Sequence, residues 1–159
     1  ARIINASSVS CKMGEVGDRF FKLDPEHYRR FKAYPNSKLA ILMFTTELAR
    51  RVQGRAITVN AVDPGVVNTG MITMHKWYDP LADIFFRPFI KSPERGAMTA
   101  ILLATSDQYV NISGGFFRNK HQVGLPEAAL DVEACQNLWL QTEQFVAGLV
   151  GSRLKKGEN

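Results

Sequence analysis

The chain has 159 residues, 45% of them hydrophobic and 22% charged, which is the composition of one ordinary globular core. Its net charge of +5 comes from Lys and Arg scattered along the sequence rather than gathered on one face, so nucleic acid is not an expected partner. Cys11 and Cys135 lie too far apart for a zinc motif or a disulfide framework, and no apolar run approaches the ~18 residues of a transmembrane helix.

The first predicted element is a short buried strand from Arg2 to Ala6, which the polar run beginning at Ser7 ends. Polar residues at the carboxyl end of a parallel strand face the crevice where open α/β folds bind ligands. Ser7 and Ser8 are therefore candidate catalytic residues, and capping or turning the chain is the alternative role. The sequence enters this strand directly from Ala1 with no initiator Met, so we expect further residues upstream.

The clearest predicted helix runs from Phe31 to Gln53, because its apolar residues recur at helical spacing. Pro35 favours a start within a residue or two of Tyr34, since proline disfavours the α conformation of the residue before it. Tyr34 and Lys38 then lie one turn apart on one helical face. A phenol and an amine that can reach the same small ligand are suited to acid/base chemistry.

A second strand is predicted from Ala56 to Val62, and Asp63-Pro64-Gly65 breaks it. The order strand, loop, helix, strand predicts a parallel sheet with a right-handed crossover. Pro64-Gly65 allows the backbone to pass close to a ligand and leaves the following N–H groups free to donate. A plain turn is the alternative.

The segment 70–91 is dense in Met and aromatic residues and contains Pro80 and Pro88. Such density outside any clean strand predicts short helices that form a lid over an apolar substrate. Peripheral contact with a membrane and contact between subunits are the two alternatives, and the oligomeric state stays open.

The remaining sequence predicts a helix, a short strand, a second helix and a tail. Ser92-Pro93 is a helix start, with Ser at the N-cap and Pro in the first turn, and the helix continues to Thr105. Gly114 to Phe117 forms a short final strand, Pro126 to Val150 holds the last helix, and residues 151–159 form a polar tail.

Three features converge on one edge of the predicted sheet. Ser8 follows one strand, Tyr34 and Lys38 open the next helix, and Pro64-Gly65 follows the second strand. These positions resemble the serine-bearing strand, the active-site Tyr-Lys pair and the nicotinamide-side segment, here 59–69, of the short-chain dehydrogenase/reductase family. The stretches 92–97 and 114–119, and the last helix with its Trp139, resemble the retinol-dehydrogenase-like branch.

The resemblance implies an α/β fold, the C-terminal part of a Rossmann-like doubly wound parallel sheet with flanking helices. Residues 1–150 would form the catalytic part of this single domain. The family's Gly-rich turn, which receives the cofactor pyrophosphate, has no counterpart in the sequence. We therefore expect the dinucleotide-binding half to lie upstream.

The resemblance also implies roles for individual residues. Tyr34 would be the general acid/base, Lys38 would stabilise its phenolate and hold the nicotinamide ribose, and Ser8 would hydrogen-bond the substrate oxygen. The nicotinamide carboxamide would be fixed by Pro64, Gly65, Val67 and Thr69.

The implied activity is hydride transfer between a nicotinamide cofactor and a small lipophilic alcohol or carbonyl, of the retinoid, steroid or other apolar type. The cofactor is expected to be NADP or NAD, with NADP favoured. A cofactor-sensing or scaffold subunit with little turnover is the alternative. No metal is expected, because His27, His75 and His121 have no metal-binding spacing.

Overall fold

The computed structural model describes residues 1–17, 20–22, 26, 28–67 and 91–156, with the backbone alone for 151–156. The strands are β1 (Arg2–Ala6), β2 (Thr58–Asp63), β3 (Phe116–Arg118) and β4 (His121–Val123). The α-helices are α1 (Arg30–Arg51), α2 (Pro93–Thr105), α3 (Glu127–Leu130) and α4 (Val132–Lys156). Short 3-10 helices cover Val9–Met13 and Asp107–Tyr109.

The four strands form one sheet in the order β1-β2-β3-β4. Strands β1 and β2 are parallel, with Ala6 opposite Val62, and β2 and β3 are also parallel. Strand β4 returns antiparallel to β3. Because β1 and β2 run in the same direction, the segments that follow Ala6 and Asp63 leave the sheet at the same edge.

Both faces of the sheet are covered by helices. One core cluster joins α1 and α4 to the sheet through residues such as Leu42, Leu138 and Phe116. A second cluster on the opposite face joins Leu103 of α2 to Phe117 of β3. Helices on both faces of a mainly parallel sheet confirm the predicted doubly wound α/β class.

Helix α1 begins at Arg30, so the prediction of a start within a residue or two of Tyr34 is wrong. Pro35 lies inside the helix and is buried, although it removes the N–H that would bond to the carbonyl one turn earlier. The helix is already established before that point, because Lys32 and Ala33 both donate to the Arg29 carbonyl, at 2.9 and 2.8 Å. The proline therefore costs one hydrogen bond near the helix start and does not prevent the first turn.

The other elements follow the sequence pattern with differences in their bounds: β2 begins at Thr58 rather than Ala56, and the last helix continues to Lys156, into residues predicted to form a polar tail. Ser92 caps α2 as predicted, since its Oγ accepts from the Arg95 N–H at 3.4 Å. Strand β3 is paired with β4, which the sequence analysis did not predict. The last helix is divided at Asp131, whose carboxylate accepts from the Ala134 N–H at 3.0 Å and so starts α4 as a separate helix.

No helix within the described residues combines the length and the apolarity that crossing a bilayer requires. The predicted lid, apart from Lys91 at its end, lies outside the described residues.

Candidate active site

Ser7, directly after β1, is hydrogen-bonded to both strand β2 and helix α1. Its N–H donates to the Val62 carbonyl at 2.8 Å, and its Oγ donates to the Lys38 carbonyl at 2.8 Å. The residue is 2% exposed. Ser7 therefore fixes the position of α1 at Lys38 against the carboxyl end of the sheet, and it is closed to a ligand.

Ser8, the next residue, is half-buried and caps the first 3-10 helix. Its Oγ accepts a hydrogen bond from the Ser10 N–H at 3.3 Å. Accepting this bond leaves the hydroxyl proton available for a further acceptor. Of the two serines, Ser8 is the one whose hydroxyl can donate to a substrate oxygen.

Tyr34 and Lys38 are brought together as the helical spacing predicts. The Lys38 Nζ lies 5.6 Å from the centre of the Tyr34 ring and also donates to the Ala6 carbonyl at 3.2 Å. Tyr34 is 44% exposed, so its phenol is open to a ligand. The Lys38 amine thus lies between the Tyr34 phenol and the carboxyl end of β1. That strand ends at Ala6, two residues before Ser8.

The turn after β2 is built by Asp63. Its carboxylate is buried, accepts from the Gly65 N–H at 2.8 Å and pairs with the Arg118 guanidinium at 3.3 Å. Gly65 has a φ of +79°, a conformation that glycine adopts without strain. Val67 then packs against Gly96 so closely that an added Cβ there would lie 2.5 Å from a Val67 methyl group. Thr69 lies outside the described residues.

Two polar residues at this edge were missed in the sequence analysis, Lys91 and Asn119. The Lys91 Nζ donates to the Asn119 side-chain oxygen at 2.6 Å and to the Pro64 carbonyl at 3.3 Å. Asn119 could have been found from the sequence, because it follows a predicted parallel strand and so lies at the ligand-binding edge. Lys91 has no such signal in the sequence, because it lies at the end of the predicted lid and follows no predicted strand.

The described residues also form a cavity away from this edge. A cavity of ≈ 900 Å³ is at the opposite edge of the sheet, where Arg2, Gly54 and Thr58 are among its lining residues. No cluster of metal-ligating side chains occurs in the described part of the chain, where His121 is an exposed residue of β4. His27 and His75 lie outside it.

Comparison with known proteins agrees with this arrangement. Residues 23–77 match the family described as short chain dehydrogenase. Human retinol dehydrogenase 14 is 35% identical over 150 residues, which cover 92% of this chain and 44% of that protein.

Two solved structures share the fold. A structure of an uncharacterized protein from Mycobacterium paratuberculosis matches with a TM-score of 0.64 and 25% identity, over 90% of this chain and 49% of that one. A short chain dehydrogenase from Burkholderia cenocepacia J2315, solved in complex with NADP, matches with a TM-score of 0.52 and 20% identity, over 74% and 43%.

The fold and these matches define the class: the chain belongs to the short-chain dehydrogenase/reductase family. Within that family it is similar to the retinol dehydrogenases. It spans less than half of the length of the retinol dehydrogenase that it matches, 44%.

Proposed function

We propose that the protein containing this chain is an NAD(P)-dependent oxidoreductase that acts on a small apolar alcohol or carbonyl compound. The observation that carries the proposal is the position of the Lys38 ammonium, 5.6 Å from the Tyr34 ring and bonded to the end of the serine-bearing strand. The pair thus places an amine beside a phenol at the carboxyl end of the sheet, where open α/β folds bind ligands.

The proposed mechanism assigns proton transfer to Tyr34 and charge stabilisation to Ser8. Tyr34 accepts the hydroxyl proton of an alcohol, or returns a proton to the oxygen of a carbonyl in the reverse direction. Ser8 donates a hydrogen bond to the same oxygen and stabilises the charge that develops on it. A bound nicotinamide supplies or accepts the hydride.

The turn after β2 fits a nicotinamide carboxamide. Pro64 has no N–H, Gly65 has no side chain, and neither Val66 nor Val67 donates its N–H to another described residue. Backbone donors without an acceptor among the described residues are groups that an amide oxygen of a ligand can satisfy. We assign carboxamide binding to Pro64, Gly65, Val67 and Thr69, ribose binding to Lys38 and Tyr34, and the cofactor to NADP or NAD, with NADP favoured.

The apolar substrate class rests on two observations. A relative that matches 92% of this chain is named for retinol, which is an apolar alcohol. The segment between Val67 and Lys91, which follows the proposed nicotinamide turn, is dense in Met and aromatic residues. An apolar substrate is therefore favoured over a sugar.

The proposal is tested by Tyr34→Phe in the protein at its natural length, with Tyr28→Phe as the matched control. Tyr28 is 67% exposed and precedes α1, so it offers the same chemical change outside the site. Loss of the acid/base group should lower kcat about 10²- to 10⁴-fold with retinol or a comparable apolar alcohol, while the cofactor still binds, with a Kd raised at most about tenfold by the lost ribose contact. Tyr28→Phe should keep full activity.

An unchanged kcat in Tyr34→Phe would refute the assignment of the acid/base group. Cofactor binding without detectable turnover in the native protein would instead support the cofactor-sensing or scaffold role. The two results are distinguished by measuring nicotinamide absorbance for turnover and nicotinamide fluorescence for binding.

A further inference from the structure

Lys91 connects the turn after β2 to the turn between β3 and β4. Its Nζ donates to the Asn119 side-chain oxygen at 2.6 Å and to the Pro64 carbonyl at 3.3 Å, and its backbone N–H donates to the Val66 carbonyl at 2.8 Å. A Cβ built on Gly65 would lie 3.0 Å from the same Nζ. The ammonium therefore lies directly against the turn proposed to hold the nicotinamide.

Asn119 presents its side-chain oxygen from an unusual backbone conformation. Asn119 and Lys120 have φ values of +50° and +69°, in the left-handed region that most residues with a Cβ avoid. The turn is held in this conformation by two bonds to the backbone of Lys120: its N–H donates to Thr99 Oγ1 at 3.1 Å, and its carbonyl accepts from the Tyr109 hydroxyl at 3.0 Å. The acceptor of the Lys91 ammonium is thus fixed in space.

We propose that Lys91 and Asn119 are positioning residues that hold the peptide between Pro64 and Gly65 in one orientation. We call Lys91, Asn119 and Pro64 together the lysine clasp. Asp63 holds the N–H side of this peptide, and the cationic donor on its carbonyl side removes the freedom to rotate that a glycine turn retains. The orientation of this peptide, together with the bond from the Lys91 backbone N–H to the Val66 carbonyl, sets where the Val66 and Val67 N–H groups point.

The consequence for the cofactor rests on the proposed function. If those N–H groups bind the nicotinamide carboxamide, the clasp sets the position of the ring from which hydride is transferred. A displaced ring reacts more slowly even when the cofactor remains bound, because hydride transfer depends on the alignment of donor and acceptor. Lys91 and Asn119 then act through the turn and do not contact the substrate.

The first test measures amide hydrogen exchange of the peptide that contains residues 63–67, in the natural-length protein without cofactor. Lys91→Met keeps the apolar stem and loses the donor, and Asn119→Gly keeps the left-handed turn and loses the acceptor. Both should exchange about three- to tenfold faster in this peptide, because the partly exposed clasp no longer restrains it. Asn119→Asp, which keeps an acceptor oxygen, should behave as the native protein does.

Lys120→Gly is the matched control. It replaces the other left-handed residue of the same turn and keeps the backbone bonds to Thr99 and Tyr109. Exchange in 63–67 should therefore stay at the native rate. Native exchange in Lys91→Met, or equal acceleration in Lys120→Gly, would overturn the clasp.

The second test measures how the clasp affects binding of the nicotinamide cofactor. Lys91→Met and Asn119→Gly should raise the Kd of reduced NADP or NAD about three- to tenfold and change the fluorescence of the bound nicotinamide. Faster exchange with native binding and native fluorescence would refute the link to the cofactor. Failure of the native protein itself to bind either dinucleotide would refute the proposed function, and the exchange experiment would still decide whether the clasp exists.

Discussion

Ser7 and Ser8 are adjacent in the sequence but have opposite surroundings in the fold. Ser7 is buried and donates to the Lys38 carbonyl, whereas Ser8 is half-buried and only accepts a long bond from within its own loop. Extended backbone turns neighbouring side chains to opposite sides, so only one of the pair can face a ligand. The structure thus buries Ser7 and leaves Ser8 partly exposed, and Ser8 is the residue that the family resemblance favoured for the proposed substrate contact.

The two serines should therefore respond differently to alanine. Ser7→Ala removes a buried hydrogen bond and should lower the free energy of unfolding by about 1–2 kcal/mol, with kcat per folded molecule retained. Ser8→Ala should cost only about 0.5 kcal/mol, because its 3.3 Å bond is partly exposed, yet lower kcat about 10²-fold. Urea unfolding and steady-state kinetics of both variants check this, and the reverse order of effects would exclude Ser8 as the donor.

The Tyr34 and Lys38 pair was predictable from the sequence, while the lysine clasp was not. Four residues on one helix have a fixed geometry, so local spacing alone places the phenol beside the amine. Lys91 and Asn119 are 28 positions apart and meet only because β3 joins the sheet next to β2. No local sequence pattern predicts that Lys91 and Asn119 are in contact.

At the scale of elements, the start of α1 is held by the loop that precedes it. A Cβ added to Gly14 would lie 2.5 Å from the Pro35 carbonyl oxygen and 2.9 Å from the Leu39 Cβ. The next residue, Glu15, donates its N–H to the Asn36 side-chain oxygen at 2.9 Å. The loop after the first 3-10 helix therefore lies against the turn of α1 that carries Tyr34.

Gly14→Ala should disturb this contact. The backbone oxygen of Pro35 cannot move away as a flexible side chain would, so we expect a loss of about 1–3 kcal/mol in the free energy of unfolding and a lower kcat from a displaced Tyr34. Gly17→Ala is the control, because a Cβ there meets nothing within 4 Å. Thermal unfolding of the two variants decides the matter: equal melting temperatures would show that the loop adjusts without cost.

Element boundaries were predictable where a local sequence pattern is strong. They were missed where that pattern is weak. Strand β1 has the predicted bounds, because its apolar residues end abruptly at the serines. The β3–β4 hairpin was missed because its left-handed turn is Asn119-Lys120, whereas the usual sequence signal is Asn-Gly. The bonds from Thr99 and Tyr109 that hold this turn come from distant parts of the chain.

At the scale of the whole molecule, α4 closes one face of the sheet through contacts with α1. The Trp139 ring stacks on Phe44 with 5.0 Å between ring centres and a 6° angle, and the Arg51 guanidinium lies 4.3 Å from the same ring. The core cluster beneath these contacts contains both cysteines, Cys11 beside the candidate site and Cys135 in α4. Cys11 and Cys135 are each 0% exposed. The reactivity of each thiol therefore measures how closed its own end of the core is.

Burial raises the pKa of both thiols from the ordinary value of 9.0, and hydrogen bonding with Ser7 for Cys11 and Thr46 for Cys135 only partly offsets it. The folded state therefore favours the protonated thiols. Their contribution to stability is fully present below pH 9.0 and is lost as the pH rises above that value, since the unfolded chain then gains by ionising. We expect urea unfolding of the native protein to show this alkaline decline.

The double variant Cys11→Ala/Cys135→Ala separates the thiols from Lys and Tyr, which titrate in a similar range. Its free energy of unfolding should be lower than the native value at neutral pH but should fall less steeply above pH 9.0. Equal slopes would mean that folding does not raise the pKa of either thiol. Alkylation of each cysteine, measured peptide by peptide, shows where the core opens. Equal protection of Cys11 and Cys135 from alkylation indicates one cooperative core. If the candidate site opened independently, Cys11 would be alkylated first.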